Sequence, residues 1–551
     1  MKCKMKSFIL LFLIVLCPVF SFFAQNHNIK NVILMIPDGT SSGLLSMSRW
    51  YQRYLDSTQT TLYLDPYLCG MVRSCSSNAP IGDSAPTTSC YVTGQPSQTG
   101  FVATYPVKTD HDLFPIDATR AYQPMATILE AARIVKNKAT GLVFTCEFPH
   151  ATPADCSAHY YNRENYEVLA PQMVHNNIDV VIGGGTKFLT PELQTYLQNN
   201  DYQIILQNKK ALDECNNPKF WALFESYDMP YDLERDTVQY PSLSQMTQKA
   251  IETLSKNPNG FFLMVEGSKI DWAAHNDDAK TAIIEFLAFD KAVKTAIDFA
   301  KKEGHTVVVI LPDHGTSGMN IGNANSNKGY DTLSLQQIMN PIKNISLSSY
   351  TMAKKMNEQP IEDINALFQQ YYQIDLTPKE IDLLYTAKNF KNSPLPENER
   401  SQNLKLPNLI SQVLYNRTYI GFTTFGHTGE DVFLAVYHPN HDIPNGVKTN
   451  IEINQYLCRQ MGIEKQLASL TEELFTDHHQ LFPEAKEIKI DSLGKNHYQL
   501  TVTNKKHTLV AESYTNFILL DNKKIELPSV IVYIDKNQTF YLPRKISEMM
   551  K

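Results

Sequence analysis

The sequence predicts an α/β fold: a central, mostly parallel sheet flanked by helices on both faces, with an inserted cap and a small C-terminal β module. Three observations predict it. Near-continuous Val/Ile/Leu runs of strand length recur from residue 29 onward, the pattern of strands covered on both faces. Several of these runs stop abruptly at an acidic, glycine or histidine residue, the place where open α/β sheets put their ligand sites. The succession 261–266, 277–303 and 306–312 reads as strand, helix, strand, which is a βαβ unit.

Taken in order, the strand-like runs are NVILMIPDG (31–39), GLVFTCE (141–147), IDVVIGGG (178–185), FFLMVEG (261–267), HTVVVILPDHG (305–315) and DVFLAVYHP (431–439). In 277–303 the residues Phe286, Phe289, Val293, Ile297 and Ala300 recur at three- and four-residue steps before Gly304 supplies a stop. Residues 320–425 break this rhythm with Asn- and Ser-rich stretches and read as a large insertion or cap. After about 484, alternating segments such as YQLTVTN and SVIVYIDKNQTFYLP read as antiparallel strands. The expected organisation is a leader at 1–24, an α/β core at 25–319, the cap at 320–425, core completion at 426–483 and a β module at 484–551.

With 551 residues, 43% hydrophobic and 19% charged, the composition excludes a disordered, collagen-like or polytopic membrane chain. The net charge of −7, with no clustering of Lys and Arg, speaks against nucleic-acid binding. MKCKMK followed by SFILLFLIVLCPVFSFFA reads as a secretory signal ending near Ala24, which implies export to a periplasm or the exterior. An uncleaved anchor and a lipid-modified Cys17 are the alternatives. No later apolar run is long enough to span a membrane. Beyond the leader lie Cys69, Cys75, Cys90, Cys146, Cys156, Cys215 and Cys458. Export allows disulfides, and Cys69/Cys75 and Cys146/Cys156 are the candidates by proximity, although an odd number leaves one thiol over. Zinc-ribbon spacing is absent, so buried small residues or bridges are expected rather than ligands.

Six local patterns carry chemistry. DSAPTTSCYVTG (83–94) sets Ser84 at the start of a helix whose first turn holds Pro86. Backbone N–H groups there are available to an anion, although Asp-Ser before a helix also reads as an N-cap. Asp271 and His275 share one helical face through their i, i+4 spacing, five residues after Glu266. A third ligand from elsewhere would complete a zinc site with an open position. Asp313 and His314 are adjacent after an apolar strand, where Gly315 lets the chain leave its pleat. Asp38 ends the first apolar run, and GHTGED (426–431) places His427 between two glycines. HATPADCSAHYYNR (150–163) contains Thr152 and Arg163, and an arginine can fork two donors onto a phosphoryl group. Each pattern alone also fits a turn, a cap or a solvated charge.

Their order is Asp, Ser, Thr, Arg, Glu, Asp, His, Asp, His, His, and with these local contexts it resembles the alkaline phosphatase family over roughly residues 29–320 and 420–440. The resemblance implies a phosphomonoesterase acting on small phosphate esters through a phosphoserine. It makes Ser84 the nucleophile and Arg163 the residue that grips the phosphoryl oxygens. It implies two Zn2+ and one Mg2+: Asp271, His275 and His427 on one zinc; Asp313, His314 and Asp38 on the other; Asp38, Thr152 and Glu266 on magnesium. Histidine and carboxylate suit zinc, and an all-oxygen set suits magnesium. The family is commonly dimeric, so a homodimer is an expected partner state.

The chain departs from the family in places. His150 stands where some bacterial relatives have Asp and animal ones His, and Trp272 where those groups have Lys or His. Both positions are expected near magnesium and phosphate. Pro86 within the nucleophile helix and the long step from His314 to His427 are further departures. A sulfatase of the same superfamily would need Arg where Thr88 stands, and nucleotide-pyrophosphatase-type phosphodiesterases usually employ Thr and lack the magnesium set. An exported phosphate- or metal-binding protein without turnover would have no use for a nucleophile placed between metals.

Overall fold

The computed structural model describes residues 28–358, 364–389 and 405–551; the expected leader, 1–24, lies outside the described residues. Ten strands form the central sheet: β1 (Asn31–Ile36), β2 (Leu68–Arg73), β3 (Ala139–Glu147), β4 (Val180–Gly184), β5 (Gln203–Leu206), β6 (Phe220–Leu223), β7 (Phe261–Glu266), β8 (Thr306–Ile310), β9 (Val432–Tyr437) and β10 (Gly446–Thr449). Their spatial order is β10-β2-β9-β8-β1-β7-β3-β4-β6-β5. Every pairing is parallel except the two made by β9, which opposes both β2 and β8.

The apolar character of β1 follows from its central place. Val32, Leu34 and Ile36 face one core while Ile33 and Met35 face the other, so neither side chain direction meets solvent. The helix Ala279–Glu303 joins β7 to β8 on the second face, burying Phe286, Phe289, Val293, Ile297 and Ala300 as the periodicity predicts. Asp278 caps it by accepting from the Thr281 N–H, and Gly304 ends it at φ +84°. β7 and β8 are not neighbours: β1 lies between them, parallel to both, with Ile36 level with Glu266 and Met35 level with Ile310. This register brings the carboxyl ends of three strands together.

The four strands that the sequence pattern does not announce are β2, β5, β6 and β10. All but β6 expose much of their length, and three of them are only four residues long. Strands this short are specified by their neighbours more than by their own residues. Residues 320–421 supply helices Leu335–Lys343, Ser349–Glu358, Ile364–Tyr372, Pro378–Asn389 and Leu406–Tyr415, and Met339, Met352, Phe368 and Leu409 join the core on the second face. At the C-terminus an antiparallel sheet runs Glu487–Gly494, His497–Thr503, Thr508–Glu512, Phe517–Leu520 and Lys523–Glu526 in sequence order. A second hairpin, Val532–Ile534 with Thr539–Leu542, follows it. Leu500, Val502, Leu509, Ile518, Val532 and Leu542 belong to the same core as Val32 and Leu34, so the module is rooted in the protein.

The seven described cysteines are free, so neither Cys69/Cys75 nor Cys146/Cys156 is bridged. Their thiols point elsewhere: Cys69 toward Leu434 O, Cys156 one helical turn back toward Thr152 O, and Cys146 toward the Glu266 carboxylate at 3.5 Å. Among the described residues no helix is long and apolar enough to cross a membrane.

Candidate active site

The site forms beyond the carboxyl ends of the central strands, as expected for an open α/β sheet. Asp38 follows β1, Glu266 ends β7, Asp313 and His314 follow β8, His150 and Thr152 follow β3, and His427 precedes β9. Two ligand sets read from the sequence assemble as groups: Asp271, His275 and His427 each offer an atom within 4.8 Å of the others, and so do Asp38, Asp313 and His314. Stacking of the His314 and His427 rings, centroids 3.8 Å apart, joins the two groups. A third group contains Glu266 and His150 with Cys146, which the sequence alone offers as a buried small residue or a bridge partner of Cys156.

Close packing makes the assembly possible at Gly39. Its φ is +65°, and a Cβ there would stand 2.4 Å from Asp271 Oδ1 and 2.8 Å from Thr316 Oγ1. No other residue type fits that approach.

The electrostatics fit cations. Both Asp38 oxygens, Asp313 Oδ2, Glu266 Oε1 and Thr152 Oγ1 are buried without a hydrogen-bond partner. Orphaned polar atoms of this kind each cost on the order of 1–3 kcal/mol, more when charged. Burial together with the charges of Asp313, Asp271 and Glu266 pushes Asp38 well above the usual carboxylate range, and burial takes Glu266 up to about 8. For Asp271 burial works the other way from its neighbours, and the imidazoles of His275, His314 and His427 hold it well below the ordinary value. Asp271 in turn raises His275 to about 9.

The histidines are oriented as ligands. His275 Nδ1 lies 2.6 Å from Phe425 O and His427 Nδ1 lies 2.8 Å from Gly82 O. A carbonyl only accepts, so both Nδ1 atoms carry a proton, which leaves Nε2 as the nitrogen of each ring that can turn to a cation once it is deprotonated. These two Nε2 atoms are 3.1 Å apart, a spacing that a proton or cation between them relieves. Thr316 Oγ1 donates to Asp271 Oδ1 at 2.6 Å and fixes that carboxylate.

Ser84 begins the helix Ser84–Thr93, is buried, and holds its Oγ 3.2 Å from His314 Nε2, which is itself 3.5 Å from Asp38 and Asp313 oxygens. The helix has no side-chain cap. Asp83, the residue that would provide one, instead pairs with Arg163 Nη1, while Arg163 Nη2 meets His150 Nε2 at 3.0 Å. Burial and the adjacent guanidinium keep His150 neutral by lowering it to about 3. Trp272 packs edge-on against His150 with centroids 5.6 Å apart. Each residue named from the sequence therefore lies in this one region, with Thr152 alongside Glu266.

Sequence reasoning missed Asp83, Cys146, Thr316 and Lys269. The last is a buried ammonium that pairs with Asp228, donates to Met229 O at 2.6 Å and lies 3.7 Å from the centre of the Tyr231 ring. Their signal was adjacency alone: Asp83 precedes Ser84, Thr316 follows His314 closely, and Lys269 stands between Glu266 and Asp271.

A family model described as alkaline phosphatase matches residues 29–463. The chain belongs to the alkaline phosphatase family. Its members are phosphoric monoester hydrolases and are metal-dependent. Alkaline phosphatase 3 of Bacillus subtilis is 33% identical over 466 residues, covering 80% of this chain and 91% of its own. Alkaline phosphatase of Schizosaccharomyces pombe is 29% identical, covering 82% and 84%. Among solved structures, a cold-active alkaline phosphatase from Shewanella sp. aligns with TM-score 0.66 at 28% identity, over 79% of this chain and all of that one. The Thermus thermophilus enzyme shares the fold, with TM-score 0.70 at 22% identity, over 80% of this chain and 93% of its own. The family match ends at residue 463, before the C-terminal β module begins.

Proposed function

We propose that the protein is an exported alkaline phosphatase that hydrolyses phosphate monoesters through a phosphoserine at Ser84, with two Zn2+ and one Mg2+. The observation that carries this reading is the set of buried, partnerless carboxylate oxygens and paired imidazole nitrogens around one buried serine hydroxyl. Asp271, His275 and His427 would hold one zinc, and Asp38, Asp313 and His314 the other. Asp38, Thr152 and Glu266 would hold magnesium. When bound, these cations supply Lewis acidity that favours negative charge on the attacking and leaving oxygens.

The chain's own groups do the rest. Arg163 keeps one N–H on each terminal nitrogen beyond its bonds to Asp83 and His150, so two phosphoryl oxygens can be gripped side by side. Ser84 Oγ then attacks phosphorus in line, the ester oxygen leaves as the alcohol, and water reverses the geometry to release phosphate and restore the serine. Ser84 is suited to this role by its place at the first turn of a ten-residue helix, where the partial positive charge favours the developing anion. Asp38, Thr152 and Glu266 offer magnesium oxygen alone, while Cys146 and His150 beside Glu266 weaken its hold relative to an all-oxygen surround.

Export through the 1–24 leader and a homodimer complete the proposal. Activity on p-nitrophenyl phosphate that is lost with a chelator and restored by Zn2+ with Mg2+ tests the metal set. Retention of full activity in thoroughly demetallated protein would defeat it.

A further inference from the structure

We infer that the C-terminal β module serves the active site by bracing, from both sides, the segment that presents Arg163, with Asp535 and Asn496 as positioning residues. The inference rests on the assignment of Arg163 as the phosphoryl grip.

Arg163 stands in irregular backbone between the helices Ala151–Asp155 and Tyr166–His175. The core ties this stretch by three backbone hydrogen bonds: Val102 and Tyr160 exchange a pair at 2.8 and 3.0 Å, and the Arg163 N–H donates to Gly100 O at 2.8 Å. Irregular segments open more readily than helices or strands. A guanidinium at the end of a long side chain inherits every displacement of its Cα, and misplacement by about 1 Å weakens catalysis far more than binding area suggests.

Two hairpin tips of the module reach this stretch. The tip between Val532–Ile534 and Thr539–Leu542 carries Asp535, whose two oxygens accept from Tyr160 Oη at 2.8 Å and Tyr161 Oη at 3.0 Å. Lys536 on the same tip lies 5.5 Å from the centre of the Tyr161 ring. The tip between Glu487–Gly494 and His497–Thr503 carries Lys495 and Asn496. Asn496 Nδ2 donates to Asn165 Oδ1 at 3.2 Å and to Glu167 Oε2 at 2.8 Å, while Lys495 pairs with Glu167 at 3.0 Å. One tip therefore holds the chain just before Arg163 and the other just after it.

Both hairpins have fixed roots, since Val532, Ile534, Phe540, Leu542, Leu500 and Val502 are buried in the core shared with the central sheet. Contacts near the surface add little stability singly. Acting together on the two ends of a short segment, they restrict its swing, which is a contribution to preorganisation. The family model's match ends at residue 463, before both hairpin tips.

The test uses the full-length, metal-loaded enzyme with Asp535→Ala and Asn496→Ala combined, in wild-type and Arg163→Ala backgrounds. Inhibition by inorganic phosphate, KM and kcat for p-nitrophenyl phosphate, and thermal unfolding are measured. The expected result is a rise in KM and in the phosphate inhibition constant of about tenfold, with kcat moving less and the melting temperature within a few degrees. In the Arg163→Ala background the same pair changes nothing further, and Asp535→Asn, which keeps an acceptor, recovers part of the loss. An unchanged inhibition constant, or equal losses in both backgrounds, overturns the brace while leaving the Arg163 assignment standing. If Arg163→Ala alone leaves phosphate inhibition unchanged, the assignment fails and the brace falls with it. Should the double variant fail to fold, the single variants Asp535→Asn and Lys495→Ala are read against the same criteria.

Discussion

Replacing Arg163 by alanine removes the group that grips the phosphoryl oxygens, and the size of the loss follows from how its donors are already committed. A guanidinium has five N–H donors. One on Nη1 is occupied by Asp83 and one on Nη2 by His150, while Nε stands 3.6 Å from Glu164. One donor on each Nη is left, in a fork that matches two oxygens of a phosphoryl group. Hydrogen bonds to charged groups contribute roughly 1.5–3 kcal/mol each, so the pair amounts to about 3–6 kcal/mol, or roughly 10²–10⁴ in kcat/KM. Arg163→Lys keeps the charge but offers a point rather than a fork, and recovers about half of that free energy. The truncation also leaves the largely buried Asp83 carboxylate without its partner, which costs on the order of 1–3 kcal/mol of stability. Arg163→Ala combined with Asp83→Ala separates the two effects, since it restores stability without restoring activity. Steady-state hydrolysis of p-nitrophenyl phosphate with inhibition by inorganic phosphate reads both terms. Values of kcat/KM and of the inhibition constant within threefold of wild type would refute the reasoning.

Other predictions concern the third ion group, the glycine contact and a buried histidine. His150→Asp places an oxygen donor where an imbalance of nitrogen and sulfur now exists, so the Mg2+ concentration giving half-maximal activity falls about tenfold or more, as measured by titration of metal-depleted enzyme. Gly39→Ala forces a Cβ to 2.4 Å from Asp271 Oδ1 at φ +65°, and the variant loses about 2–4 kcal/mol in urea unfolding together with its zinc content. His175, buried against Tyr196, is lowered to about 4 from an ordinary 6.5 by burial. Its folded pKa is depressed, so the unfolded chain binds the extra proton between those values, and stability is lost as pH falls from 6.5 toward 4. The amount reaches about 3 kcal/mol, and His175→Gln, compared by denaturant titration at pH 7 and pH 4.5, removes most of that dependence.

Much of the site was legible because its residues end strands whose hydrophobic pattern is unmistakable. Asp38, Glu266, Asp313 and His314 each follow a buried run, and the βαβ unit around the helix Ala279–Glu303 announces the parallel sheet. What the pattern could not give was lateral placement. Nothing in the runs at 261–266 and 306–310 says that β1 separates them, because strand order depends on long-range packing. The short strands β5 and β10 were hidden for the same reason. Supporting groups were hidden in another way: Asp83 looks like a helix cap and Cys146 like a core thiol until the fold brings Arg163 and Glu266 beside them. The two hairpin tips are further still from local reading, since Asp535 and Tyr160 meet across most of the chain.

The central claim is that a serine hydroxyl among these imidazoles and carboxylates is transiently esterified, and trapping it is the most direct measurement. Enzyme mixed with radiolabelled phosphate ester or inorganic phosphate is quenched in acid, digested, and the labelled peptide sequenced by mass spectrometry. The account predicts one phosphoryl group per chain on the peptide containing Ser84, and no label in Ser84→Ala protein that retains its fold and bound zinc. Label on a different residue, or undiminished turnover by Ser84→Ala protein, would contradict it.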